Sequence, residues 1–151
     1  MFGKLKNNAL AYFIRTHYYV LRRKLHFTKD RNGEIVTSSE GKEYVIFRGV
    51  TVDPKNNQQE NSNAILKIQF NFKSGSAKTN KRLSVIPIPF IAGSPGFRSK
   101  YWMIHEPSGG FQGIYDWDSV EDIENYKKSF AIKLMSRRAV PETINFETIS
   151  N

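Results

Sequence analysis

Residues 97–117 read FRSKYWMIHEPSGGFQGIYDW, and the organisation of the chain follows from them. Two β-rich runs, Phe97–Glu106 and Phe111–Trp117, flank Pro107-Ser108-Gly109-Gly110, a glycine-containing turn that folds one strand back on the other. If His105 faces Phe111 across that turn, alternation places Ser99, Tyr101, Met103 and His105 beside Phe111, Gly113, Tyr115 and Trp117. Arg98, Lys100, Trp102 and Ile104 then share the other face with Gln112, Ile114 and Asp116. The first set is an aromatic surface with polar tips. It suits stacking on a flat organic ligand, and equally suits an ordinary core or a subunit contact.

Working outward, Ala64–Phe72 (AILKIQFNF) alternates cleanly, with Leu66, Ile68, Phe70 and Phe72 on one side, which predicts a strand with one buried face. Ser74–Val85 is polar and basic and predicts a short helix that stops at Pro87 and Pro89. Pro87–Phe97, PIPFIAGSPGF, reads as an ordered apolar loop of the kind that walls a pocket or a subunit contact. Beyond the hairpin, Ser119 is a natural N-cap with Glu121, Asp122 and Glu124 in the first turns. Val120, Ile123, Tyr126, Phe130 and Leu134 form its expected buried stripe, and one helix runs to Arg137 and Arg138 before Pro141. Thr143–Ile149 alternates as a last strand.

Strand, short helix, strand, strand, long helix, strand is the β-α-β-β-α-β order of a ferredoxin-like α+β fold with a four-stranded antiparallel sheet. Three stretches narrow it: Pro95-Gly96-Phe97 opening the hairpin, Tyr101-Trp102 within it, and Gly113-Ile114-Tyr115-Asp116-Trp117-Asp118-Ser119 leading into the helix. Together they resemble the dimeric α+β-barrel superfamily, in particular its small monooxygenase-like proteins, over roughly residues 64–149. The resemblance implies a homodimer whose two sheets pack face to face. It also implies a small-molecule cavity in each subunit, between sheet and helices. It points to a cofactor-independent monooxygenase acting on a hydrophobic or aromatic substrate, since such chemistry asks for little more than an apolar pocket and a few donors.

Residues 1–63 lie outside that pattern and read as an extension preceding a domain at 64–151. Residues 8–25 carry Leu10, Phe13, Ile14, Tyr18, Leu21 and Leu25 at the helical period, with Asn7 or Asn8 as cap and Arg22 to Lys24 in the last turn. The first 26 residues hold six Lys or Arg and no acid, while the whole chain carries a net charge of +9. A basic amphipathic helix of this kind packs on its own domain or a partner subunit, or lies on an anionic membrane surface; a solvated face and nucleic-acid binding are the other readings. Tyr44–Val52 predicts an extra strand, with a weaker one at Glu34–Thr37, and Lys55–Asn63 reads as a flexible polar connection.

The chain has no cysteine, so disulfides, thiolate metal sites and Cys nucleophiles are excluded. No secretory signal, no span of about 20 apolar residues, no phosphate loop and no nucleophile elbow is present, which points to a cytoplasmic protein. His105 is the first candidate base or heme ligand, because imidazole titrates near neutrality. Asn71 with Tyr101 or Tyr115 is placed to polarise a substrate oxygen. Phe90, Phe97, Trp102, Tyr115, Trp117 and Tyr126 are the expected ligand-binding walls. No metal and no cofactor is expected, and the partners are a second copy and a hydrophobic small molecule rather than nucleic acid. The rival reading is a non-enzymatic dimerising module whose basic helix docks on an anionic membrane surface or partner.

Overall fold

The structure, a computed structural model, describes residues 2–54 and 64–150, with side chains from Ala9 onward. The expected connection at Lys55–Asn63 lies outside the described residues. In chain order the elements are α1 (Phe2–Leu21), β1 (Leu25–Thr28), β2 (Ile35–Thr37), β3 (Glu43–Val52) and β4 (Ala64–Phe70). They continue with α2 (Ala77–Leu83), α3 (Ile88–Ile91), β5 (Phe97–His105), β6 (Gly110–Trp117), α4 (Val120–Lys127), α5 (Phe130–Arg138) and β7 (Asn145–Ser150).

The fold is α+β, as the sequence predicts, and β5-β6-β4-β7 is the interleaved strand order of a ferredoxin-like sheet. The expected count of four strands is corrected: the antiparallel sheet has seven. β3 pairs with β5 from Val45 to Thr51, and β1 and β2 then pair with β3. A long β-rich run ending beside the exposed edge of β5 completes a ladder there, because an unpaired edge leaves its backbone groups unsatisfied.

The helices cover one face of this sheet. The core joins Val50, Leu66, Ile68, Trp102, Tyr115 and Trp117 to Ile123, Tyr126, Ala131 and Ile132. The single helix expected over 119–138 is two. The Ser129 hydroxyl accepts a hydrogen bond from the Ile132 backbone N–H, capping a new helix where the first ends. The break re-aims the second half, so that Ala131 and Ile132 are buried while Phe130 and Leu134 are only half-buried. The expected loop at Pro87–Phe97 contains α3, with Pro87 and Pro89 at its start, where a missing N–H costs nothing.

α1 begins at Phe2, so Asn7 and Asn8 lie inside it rather than capping it, and Leu25 belongs to β1. Arg23, at φ 57°, turns the chain out of the helix, and Lys24 N–H closes back on the Tyr19 carbonyl at 2.8 Å. Of the alternatives open for the apolar stripe, it does not pack on its own domain: Leu10, Phe13, Ile14, Tyr18 and Leu21 are exposed. The inward face is more polar. Thr16 donates to the Pro89 carbonyl at 2.6 Å and Arg15 to the Gly93 carbonyl at 2.9 Å. Gly93 allows that approach, because a Cβ there would sit 1.9 Å from the Tyr12 carbonyl oxygen.

Candidate functional site

The hairpin's register decides which side chains meet. Its turn spans residues 106–109, with Gly109 at φ +72° donating to the His105 carbonyl. His105 therefore pairs with Gly110, not with Phe111, and the whole expected facing is off by one residue. Trp102 pairs with Gly113 and Lys100 with Tyr115, so these residues share the helix-covered face with Phe111. Tyr101 pairs with Ile114 and Met103 with Gln112 on the opposite face.

Under α2, α3 and α5 the covered face opens into a cavity of about 400 Å³. That is within the usual size of a small-molecule site. Its floor is Ile68, Phe70, Trp102, Phe111 and Tyr115 of the sheet, and its roof includes Ile91, Tyr126, Ile132 and Met135. Phe72 and Phe111 meet edge to face with centroids 4.7 Å apart, so the floor is a set of interlocked rings. Arg137 and Arg138 stand at its margin, where Arg138 lies over the Phe72 ring and donates to Asn80 Oδ1 at 2.8 Å. Ser84 also lines it and is held by Arg48 Nε at 3.1 Å.

The polar contents of this apolar space are few. Lys100 is buried, and its Nζ lies 4.4 Å from the ring centres of both Trp102 and Tyr115. No carboxylate pairs with it among the described residues, and burial pushes its pKa from 10.5 down to about 7. Gly113 makes room for the lysine arm, since a Cβ there would be 3.0 Å from Lys100 Cε. The other polar pair is Tyr126, whose hydroxyl donates to the Tyr115 hydroxyl at 3.3 Å. Burial drives both phenols well above their ordinary pKa, so both stay protonated. One hydrogen bond between two hydroxyls leaves one O–H proton for a ligand oxygen.

Of the expected site residues, Trp102, Tyr115 and Tyr126 are brought together at this cavity. Trp117 and Phe97 lie just beyond its wall, packed edge to face at 5.6 Å, and Trp117 Nε1 is buried without a hydrogen-bond partner among the described residues. Phe90 packs between Phe13 and Phe130 at the α1 contact. Tyr101 and His105 sit on the other side of the sheet. Tyr101 lies under the Arg31 guanidinium, and His105 Nδ1 donates to the Glu43 carbonyl at 2.9 Å. Asn71 is exposed at the end of β4, its carbonyl accepting from Val140 N–H.

Lys100 was not among the expected site residues, although its signal is present in the sequence. Counting by two from Trp102 puts a lysine on an apolar, aromatic strand face, where a charge has no structural reason to be. No group of three or more metal-ligating side chains exists among the described residues. No helix among them is long and apolar enough to cross a membrane.

A model of the family described as "Putative mono-oxygenase ydhR" matches residues 65–148, which span the sheet core, the cavity floor and its roof. No curated protein matches the chain. Among solved structures, LmHde, a heme-degrading enzyme from Listeria monocytogenes, superposes with a TM-score of 0.56 at 12% identity, covering 83% of this chain and 96% of its own. A ferredoxin-fold protein from the same species, related to antibiotic biosynthesis monooxygenases, has a TM-score of 0.55 at 10% identity, covering 82% and 89%. A major regulator of staphylococcal pathogenesis has a TM-score of 0.57 at 12% identity, covering 89% and 90%. At such identities these likenesses speak to the fold alone.

Proposed function

The chain belongs to the ydhR family of monooxygenase-like proteins, within the dimeric α+β-barrel superfamily, and from that premise we propose that it binds and oxygenates a hydrophobic aromatic molecule in the cavity under α2, α3 and α5. One observation carries the reading: a 400 Å³ space walled by aromatic rings, with a lysine and a tyrosine pair among its few buried polar groups. A flat ring system stacks between such walls, and the free hydroxyl proton of the Tyr115–Tyr126 pair holds a substrate oxygen.

The chemistry asks for an activated CH₂ beside an aromatic ketone. Loss of one proton leaves a carbanion that passes electrons to O₂, and a C–O bond forms. The O–O bond then breaks as the second proton leaves, giving one ketone and one water. The substrate supplies every electron, and exclusion of bulk water protects the carbanion meanwhile. The test is oxygen uptake with anthrone, a flat tricyclic ketone with such a CH₂, in chelator-treated buffer. One O₂ consumed per quinone formed, lost in Trp102→Ala, is the expected result. Binding without uptake removes the oxygenase half; no binding removes the reading.

The superfamily's subunit arrangement is proposed here for the opposite sheet face, where Tyr101, Met103 and Ile114 cluster away from the helices. Light scattering that gives a dimer, and a monomer after Ile114→Glu, is the expected outcome.

A second reading is favoured by the outward face of α1. Leu10, Ile14 and Leu21 are 58%, 59% and 82% exposed, and Arg22 and Arg23 stand beside them. An apolar helical stripe with cations at its end suits an anionic lipid surface. Sedimentation with phosphatidylserine vesicles, lost on Leu21→Glu and absent with phosphatidylcholine, tests it.

A further inference from the structure

We infer that the cavity's ligand is an aromatic acid, held as its anion on the Lys100 ammonium. This deepens the cavity reading above and rests on it.

A lysine sealed inside an apolar core is costly, because a charged amine loses its water and a neutral one gives up a proton that the unfolded chain keeps. Proteins place such a lysine beside a carboxylate when its role is structural. Here no carboxylate from the described residues is paired with it, and its surroundings are two ring faces and the open cavity. The ring faces solvate an ammonium in part through their quadrupoles, but they bring no negative charge. The site is also built around the lysine: Gly113 clears the path of its arm, and Trp102 and Tyr115 flank its tip at equal distance. The missing counter-charge is then the ligand's.

The other charged and titratable groups around Nζ agree. Tyr115 from β6 and Tyr126 from α4 stay protonated and donate rather than repel an anion. Arg48 from β3 reaches Ser84 on the cavity wall, and Arg137 and Arg138 from α5 stand at the margin. No acid lines the cavity among the described residues, so an anion meets arginines at the margin and the Lys100 amine at the end. Above about pH 7 the lysine is mostly neutral and takes up a proton when the anion arrives, because only the ammonium pairs with it. The ligand's aromatic body follows from the walls, and its acid group, a carboxylate or an acidic enol, from the lysine.

The test compares 2-naphthoate with 2-naphthamide, a neutral molecule of the same shape, by calorimetry on the full chain. Naphthoate is expected to bind at least tenfold more tightly at pH 7. At pH 8 its binding takes up close to one proton, read from the dependence of the heat on buffer ionisation. In Lys100→Gln, which keeps a hydrogen-bonding tip without the charge, the preference and the proton uptake vanish while naphthamide still binds. Equal affinities in the native chain, or a preference that survives Lys100→Gln, overturns the acid assignment and leaves the cavity reading intact. Failure of both probes to bind overturns the cavity reading as well.

Discussion

The molecule carries two apolar surfaces furnished with cations, and they differ in shape. The cavity is concave, with one lysine at its floor between Trp102 and Tyr115. The outer face of α1 is convex and open, with Arg22 and Arg23 at its end. A concave surface desolvates what enters it, so a single charge there acts strongly on a small partner. A convex stripe desolvates little, and its cations act weakly, through an extended field that salt screens. The same residue types therefore have different consequences: at Lys100 the charge costs folding stability, whereas at Arg22 and Arg23 it costs almost none.

The largest expected effect tests that contrast directly. The folded-state pKa of Lys100, about 7, lies below the unfolded value of 10.5, so between them the unfolded chain binds a proton that the folded chain does not. Stability accordingly rises with pH across that window, and the penalty is complete below pH 7. Lys100→Met removes it and is expected to stabilise the protein by up to about 5 kcal/mol at pH 6. The gain should shrink steadily toward pH 10, as measured by denaturant unfolding at each pH. A gain independent of pH would mean that packing, not charge, is what the lysine disturbs.

Gly113→Val comes next. Its new side chain meets Lys100 Cε and the Tyr115 ring, both 3.0 Å from the Cβ position. A destabilisation of about 1–3 kcal/mol is expected. Naphthoate affinity should fall more than naphthamide affinity, since the lysine arm is what moves. Tyr126→Phe removes the donor to the Tyr115 hydroxyl and should cost about 1 kcal/mol, visible as a drop in Tm of a few degrees. The smallest effect belongs to the convex surface. Leu21→Glu, at a side chain 82% exposed, should change stability by less than about 0.5 kcal/mol while abolishing sedimentation with anionic vesicles. A large loss of stability from that substitution would show that α1's outer stripe is covered by protein instead.

The fold was legible because its signals are local. Ala64–Phe70 alternates, Ser119 caps a helix with acids behind it, and Gly109 marks the turn, so element type and order could be read residue by residue. The site was legible only in part, since it depends on parity. A register displaced by one residue moved Phe111, Gly113 and Tyr115 from the face of Tyr101 and Met103 to that of Lys100 and Trp102. The sequence leaves the direction of α1's apolar stripe open for a similar reason. Periodicity shows that Leu10, Ile14 and Leu21 share a side, but not that Thr16 and Arg15 would find the Pro89 and Gly93 carbonyls and turn that side outward.

By itself, then, the sequence determined the α+β class and the ferredoxin-like order of elements from residue 64 onward, because both rest on propensities and spacings that neighbouring residues carry, and its match over residues 65–148 gave the family. The tertiary structure alone decided that β3 completes the edge of β5, that α1 presents its polar face to α3, and that Lys100 lies in an aromatic cavity with no acid among its described lining residues. Those depend on which surfaces meet across the chain, and burial, unlike periodicity, is set by contacts between residues far apart in sequence.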